Sequence, residues 1–115
     1  MELKDKFRKG LMDMLVLKVL SRKDSYAYQI AQTLENVSQN AVTFAVPSMY
    51  PLLNRLQRQG FVSSYFLDDP KHRERVYYHI EPAGREQLDL LTEAYSKVKN
   101  GVEAIFNYSI SDMDE

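Results

Sequence analysis

The sequence contains no cysteine and no tryptophan, and it has only two histidines. The absence of cysteine excludes disulfides, iron–sulfur clusters and thiolate zinc sites. His72 and His79 are too far apart for the usual spacing of metal ligands, so no metal or cofactor is expected. No apolar run approaches the ~18 residues of a membrane span, and residues 1–5 lack the apolar core of a signal peptide. These absences predict a soluble, cytoplasmic protein.

Recognisable catalytic motifs are also absent. The chain has no glycine-rich phosphate loop, no nucleophile elbow, and no carboxylate pair flanked by a histidine. Asp68, Asp69 and Glu74 share one loop with Lys71 and Arg73, where neutralisation by the neighbouring cations is the simpler interpretation. The sequence therefore does not predict an enzyme.

The 115 residues correspond to one small domain with an uneven charge distribution. Residues 1–80 hold 12 Lys+Arg and 8 Asp+Glu, so their net charge is 12 − 8 = +4. Residues 81–115 hold 3 and 8, so their net charge is 3 − 8 = −5. This asymmetry fits a body that faces nucleic acid and a tail that faces another partner, although uneven charge is also common in other domains.

The first half of the chain has the periodicity of two helices. Apolar residues at intervals of three and four predict a helix over 3–20, which is apolar almost all round in its second half. A second helix is expected over 26–36, with Asp24 or Ser25 as its N-cap. The β-branched and aromatic run 43–46 predicts a short strand.

A third helix and a hairpin follow. Ser48 is the expected N-cap, which places Pro51 in the first turn, and Gly60 suits the left-handed position that ends a helix. Strand-like runs at 61–66 and 75–80 flank the polar loop 67–74, which predicts a β-hairpin with a charged tip.

The last helix is expected over 82–108 and has the sharpest periodicity in the chain. Its apolar stripe has the spacing 3, 4, 3, 4, 3, which is typical of a coiled-coil seam. The stripe could pack on the first helix of its own chain. A second copy is favoured, because ~40 Å of helix exceeds the size of the small body. The predicted dimerisation residues are Leu88, Leu91, Tyr95, Val98, Val102 and Ile105.

This order of elements predicts a mainly α fold with a small β-wing. It corresponds to a winged helix-turn-helix over 1–80, a dimerisation helix over 81–108 and a flexible acidic tail over 109–115. The third helix would enter the major groove of double-stranded DNA, and the wing would contact the adjacent backbone. The predicted DNA-binding residues are Ser48, Met49, Tyr50, Asn54 and Arg55 on the helix, and Lys71, His72, Arg73 and Arg75 on the wing.

Five motifs, in this order, resemble those of the PadR family of transcriptional regulators. They are Lys9-Gly10, Tyr26-Ala27-Tyr28-Gln29-Ile30, the run from Ser48 to Leu56 with Tyr-Pro-Leu-Leu-Asn-Arg-Leu, Gln59-Gly60-Phe61-Val62, and Arg75-Val76-Tyr77-Tyr78. The resemblance covers nearly the whole chain. The single terminal helix is similar to that of the family's short subfamily, whose members dimerise through it.

The resemblance implies a homodimeric repressor that reads an inverted-repeat operator. Some members of the short subfamily hold a planar aromatic ligand between subunits, against a tryptophan of the terminal helix. Tyr95 stands at that position here, with Leu91 and Val98 as apolar walls. Because a tyrosine ring is smaller than a tryptophan ring, the surface on which a ligand could stack is also smaller. Two alternatives stay open, namely a winged helix that binds protein and not DNA, and a dimer that only carries a small molecule.

Overall fold

The computed structural model describes residues 11–68, 70–71 and 74–113. Residues 1–10, where the first helix was expected to begin, lie outside the described part. The elements agree with the expected mainly helical fold with a small sheet. In chain order they are α1 (Met12–Arg22), β1 (Ser25–Tyr26), α2 (Ala27–Val37), α3 (Val46–Arg58), β2 (Val62–Asp68), β3 (Glu74–Ile80), α4 (Pro82–Phe106) and a 3₁₀ helix (Ile110–Met113).

The core forms where the apolar faces of α1, α2 and α3 meet the inner face of the sheet. Leu17, Ile30 and Leu53, one from each helix, are fully buried, and Ile80 of β3 joins them. The spacing of three and four residues in these helices places the apolar side chains on one face of each. The helical periodicity of these segments in the sequence therefore corresponds to the buried faces of the three helices.

The sheet is antiparallel and has the order β1-β3-β2. The hairpin pairs Val62 with Ile80 at its base and Asp68 with Glu74 near its tip. The strand expected over 43–46 is wrong, because residues 43–45 are irregular and the next residue begins α3. The third strand of the sheet is instead Ser25–Tyr26, which pairs with the edge of β3.

The expected N-caps of α2 and α3 are also wrong. Tyr26 precedes α2 without a side-chain cap, because β1 pairs up to the residue before the helix. The third helix begins at Val46 and its N-cap is Ala45, so Ser48 is the third helical residue. Pro51 consequently lies inside the helix, where it removes one backbone hydrogen bond.

Gly60 ends α3 as expected. Its φ of +79° is in the left-handed region that favours glycine. The N–H of Phe61 donates to the carbonyl oxygen of Leu56 at 3.0 Å, and the N–H of Gly60 donates to that of Gln57 at 3.0 Å. These two bonds form a Schellman motif, which turns the chain from α3 directly into the wing.

The start of α4 is fixed against the start of the wing. The N–H of Glu81 donates to the carbonyl oxygen of Phe61 at 2.9 Å, and Gly84 lies directly against the same carbonyl. A Cβ atom on Gly84 would overlap that oxygen and lie 2.8 Å from Cγ1 of Ile80. The absence of a side chain at position 84 therefore sets how closely α4 approaches the hairpin.

Only the first turns of α4 belong to the core. Leu88 is 8% exposed and Leu91 packs against the same cluster. Leu88 is therefore buried by its own chain and is not left for a seam with a second copy, whereas Leu91 is only partly buried and its place in that seam stays a prediction. From Thr92 to Met113 every side chain is exposed, and the molecule is elongated, with extents of 65 × 29 × 23 Å. None of the helices in the described residues is long and apolar enough to span a membrane.

Candidate nucleic-acid interface

The outer face of α3 is polar and accessible at its N-terminal half. Ser48, Tyr50 and Asn54 are exposed, and the first turn carries no acidic side chain. The positive end of the helix dipole is therefore available to an anion such as a phosphate. Met49 was expected on this surface, but the expectation is wrong, because its side chain points inward and is fully buried.

Tyr50 lies at the border between α3 and the sheet. Its side chain is 46% exposed, so its ring is partly covered while the rest remains accessible. Burial and the neighbouring Tyr50 phenol together raise the pKa of Tyr78 on β3. Tyr50 therefore combines contact with the sheet and an exposed surface beside Ser48 and Asn54.

Arg55 has a protein partner in this structure. Its Nη1 and Nη2 donate to the two carboxylate oxygens of Asp13 at 2.8 and 2.6 Å, which is a bidentate pair. The hydrogen bond to Asp13 raises the pKa of Arg55, against a smaller opposite effect of burial. The guanidinium of this predicted DNA-binding residue is therefore engaged by Asp13 of α1, and the pair joins α3 to α1.

The wing presents only part of its expected basic set in the described residues. Lys71 is exposed in the turn between the strands, whereas His72 and Arg73 lie outside the described part. Arg75 is on β3, below the tip, and its guanidinium carbon lies 4.3 Å from the ring centroid of Tyr26. This cation–π contact orients Arg75 along the outer face of the sheet.

A row of three tyrosines crosses that outer face. The strand registers place Tyr77 opposite both Tyr26 and Tyr65. Tyr26 and Tyr77 meet edge to face at 5.4 Å, and Tyr65 and Tyr77 stack at 5.8 Å. Aromatic pairs of this kind contribute about 0.5–1.5 kcal/mol beyond burial, so the row stiffens the three short strands.

Asp24 joins this row to the connection before α2. It accepts a hydrogen bond from the Tyr65 hydroxyl at 2.8 Å and pairs with Nδ1 of His79 at 2.9 Å. Burial raises the pKa of Asp24, but the hydrogen bonds from His79 and Tyr65, with the charge of His79, outweigh it, and the net pKa is lowered. The wing is thereby tied to the segment that leads into the helix-turn-helix.

Asp13 and Asp24 pair with residues of this surface, but the sequence did not predict a role for either. Asp13 is 42 residues from its partner Arg55, and Asp24 is 55 residues from His79. Local spacing carries no signal for such pairs. Only the strand register and the packing of α1 on α3 bring them together.

The exposed face of α4 is the second candidate surface. Four apolar side chains of the expected seam face outward in the single chain, with Val98 at 65% exposure. Tyr95 is among them, so its ring is available to a partner helix or to a flat ligand. These four residues are Tyr95, Val98, Val102 and Ile105.

Comparison with known proteins agrees with this geometry. The model of the Transcriptional regulator PadR-like family matches residues 16–90. An HTH-type transcriptional regulator of Methanocaldococcus jannaschii is 30% identical over 102 residues, covering 83% of this chain and 83% of the relative. A protein of Lysinibacillus sphaericus is 28% identical over 91 residues, which covers 79% of this chain and 84% of that protein.

Solved structures give the same result. The crystal structure of a PadR-like transcriptional regulator from Bacillus cereus superposes with a TM-score of 0.79 at 25% identity, covering 90% of this chain and 99% of that one. A PadR family transcriptional regulator from Eggerthella lenta superposes with a TM-score of 0.76 at 25% identity, covering 90% and 88% of the two chains. The matches extend over the winged helix and into α4.

Proposed function

The chain belongs to the PadR family of transcriptional regulators, and we propose that it works as a homodimeric repressor reading an inverted-repeat operator in double-stranded DNA. As a transcriptional regulator it is not an enzyme, in agreement with the expectation from its motifs. The observation that carries the proposal is the accessible, acid-free N-terminal half of α3 next to the wing.

The residues proposed to read bases are Ser48, Tyr50 and Asn54. The amide of an asparagine can pair bidentately with adenine, and serine accepts or donates to either base type. Arg55 is proposed to act as a positioning residue, because Asp13 occupies its fork. For Arg55 to contact a base instead, its charge-assisted pair with the carboxylate of Asp13 would have to break.

The wing is proposed to contact the phosphate backbone. Lys71 is exposed beside the tip, and His72, Arg73 and Arg75 complete the basic set of the hairpin in the sequence. Contacts of this kind fix register and supply affinity without reading sequence. The contacts of Asp24 and the tyrosine row connect the wing to the segment that precedes α2.

The dimer is proposed to form through the exposed face of α4. Tyr95, Val98, Val102 and Ile105 are exposed in the single chain, and burying them removes apolar surface from water. Two recognition helices would then read half-sites centred about 34 Å apart, one helical turn of DNA.

A planar aromatic ligand is proposed to act at the same interface. Tyr95 supplies an exposed ring and Val98 an apolar neighbour, whereas Leu91 is partly buried against its own core. A bound ligand can cause the protein to release DNA only if the ligand prefers one arrangement of the two subunits. Calorimetric titration of flat aromatics into the wild type and Tyr95→Leu tests this site. Equal binding to both proteins contradicts it.

The experiment that tests the function is selection of bound sequences from a random duplex library. Wild type is expected to enrich an inverted repeat, and Asn54→Ala is expected to lose preference at one position of each half-site, worth ~1–3 kcal/mol. A reporter carrying the selected site upstream of a promoter then tests repression. Enrichment of no sequence at all contradicts the proposal.

A further inference from the structure

The turn between α2 and α3 contains two residues in an unusual backbone conformation. Gln39 has a φ of +54° and Asn40 has a φ of +69°, and they are the only non-glycine residues with positive φ in the part of the chain that the structure describes. Glycine adopts this left-handed region freely, whereas a side chain makes the region less favourable. We call Gln39 and Asn40 the turn pair.

Backbone hydrogen bonds hold the turn pair in this conformation. The N–H of Asn40 donates to the carbonyl oxygen of Glu35 at 2.8 Å, and the N–H of Gln39 donates to that of Asn36 at 3.2 Å. These two bonds form a Schellman motif at the end of α2, in which glycine is the usual left-handed residue. A glycine at either position would keep both bonds, so the fold does not require the two side chains.

The side-chain amides of the turn pair are available to a partner. Both residues are exposed, and neither amide is hydrogen-bonded to another of the described residues. Ser38 closes the turn instead, because its hydroxyl oxygen accepts a hydrogen bond from the N–H of Val42 at 2.9 Å. The two amides are thus presented to solvent on a backbone that other atoms fix. Unfavourable backbone conformations that persist in this way cluster at functional sites.

The turn pair lies between the two helices that form the helix-turn-helix. In this motif the first helix crosses the phosphate backbone of DNA, and the N-terminal residues of the second helix enter the major groove. The turn that joins α2 to α3 is therefore expected near the phosphates at the edge of the groove. The sequence contains no acidic residue between Glu35 and Asp68, so no carboxylate between the turn pair and the wing would repel a phosphate.

We propose that the side-chain amides of Gln39 and Asn40 donate hydrogen bonds to phosphate oxygens of the operator beside α3. Contacts to phosphates fix the register and orientation of a protein on DNA without reading the sequence. The inference rests on the proposed function, and it adds an uncharged contact to the cationic contacts of the wing. It also accounts for side chains at two positions where glycine would suit the fold better.

An uncharged contact differs from a cationic one in its salt dependence. Lysine and arginine displace counterions from DNA when they bind phosphates, so each contributes to the slope of log K against log salt concentration. A side-chain amide displaces none. Removing an amide of the turn pair is therefore expected to weaken binding without changing the slope, whereas Lys71→Ala in the wing is expected to flatten the slope by about one.

The variants Gln39→Gly and Asn40→Gly test the proposal, because glycine removes the amide and retains the left-handed backbone. Each variant is expected to bind the selected operator and its single-base variants about three- to tenfold more weakly, which is the effect of losing one hydrogen bond. The melting temperature is expected to stay equal or to rise, since glycine relieves the backbone strain. Gln39→Asn keeps an amide and is expected to retain more affinity than Gln39→Gly.

A change of charge at the same turn provides a second readout. Asn40→Asp replaces a donor by a carboxylate that a phosphate repels, so it is expected to weaken binding more than Asn40→Gly. Asn100→Asp adds the same charge on the exposed part of α4 and is the matched control, expected to bind like the wild type.

Two results would overturn the phosphate contact and leave the proposed function intact. They are wild-type affinity in both glycine variants, and a loss of affinity that is restricted to single positions of the operator. A wild-type protein that selects no sequence from the random library overturns the proposed function and this inference together.

Discussion

Arg55 and Asp13 join α3 to α1 through two parallel hydrogen bonds of 2.8 and 2.6 Å. Asp13 follows the first residue of α1, and Arg55 lies in the last turn of α3, so the pair fixes the rotation of the recognition helix. Sequence reasoning assigned Arg55 to base reading. The geometry favours a positioning role, because both terminal nitrogens of the guanidinium are engaged by one carboxylate.

The first prediction concerns this pair. Asp13→Ala and Arg55→Ala are each expected to weaken binding to all operator variants alike, because α3 loses its anchor. Asn54→Ala is expected to change which base is preferred. Binding assays on a set of single-base operator variants measure both effects. A change of base preference in Arg55→Ala that is absent from Asp13→Ala contradicts the positioning role.

The second prediction concerns two glycines of α4. Gly84→Ala is expected to lower the free energy of unfolding by about 1–3 kcal/mol, because the new Cβ overlaps the carbonyl oxygen of Phe61. Gly101→Ala is the control, as nothing lies within 4 Å of a Cβ there. The control is expected to gain up to ~1 kcal/mol from helix propensity. Chemical denaturation followed by circular dichroism measures both, and equal effects contradict the close contact.

The third prediction concerns pH and Asp24. The pKa of Asp24 is lowered in the folded protein, so the Asp24 carboxylate stabilises the fold. This contribution to the free energy of unfolding is fully present at pH values above the ordinary pKa of 3.8, and it is lost as the pH falls through the folded-state pKa. Asp24→Asn is therefore expected to destabilise the fold near neutral pH, where the carboxylate is charged in the wild type.

The difference in unfolding free energy between wild type and Asp24→Asn is expected to shrink as the pH falls below 3.8. Thermal unfolding at several pH values follows it, with Asp68→Asn at the end of β2 as a control that has no such contacts in the described residues. A penalty that is the same at all pH values would show that the charge of Asp24 contributes nothing.

The fourth prediction concerns the proposed dimer. Val98 and Val102 are exposed in the single chain, so Val98→Glu with Val102→Glu is expected to give folded monomers. Burying unpaired charges between helices costs several kcal/mol, whereas the isolated chain keeps them in water. Asn100→Glu, on the opposite side of α4, is expected to remain dimeric. Sedimentation at micromolar concentration separates these outcomes, and a double variant that stays dimeric places the interface elsewhere.

Elements with strong periodicity could be predicted from the sequence. Leu17, Ile30 and Leu53 follow the helical period and are all fully buried, and Gly60 ends α3 as its neighbours indicated. The hairpin was also predictable, since its strands and its polar loop differ in composition. Here local propensity and burial favour the same structure.

The features that failed depend on partners distant in sequence. Ser25 and Tyr26 form a strand only because β3 offers an edge, and this edge overrides the tendency of Ser25 to cap a helix. Leu88 has the same spacing as Val98, yet it is buried by its own chain because the body extends only to the first turns of α4. Spacing identifies an apolar face, but it does not indicate what covers that face.

The most direct test of the account compares the affinity of the wild-type protein for its selected inverted repeat and for a scrambled duplex of equal composition. At physiological salt the account predicts two chains per duplex and binding about 10³-fold or more tighter to the inverted repeat, as expected of specific recognition. Equal affinity for the two duplexes, or the absence of binding to either, would contradict the reading of an operator by α3.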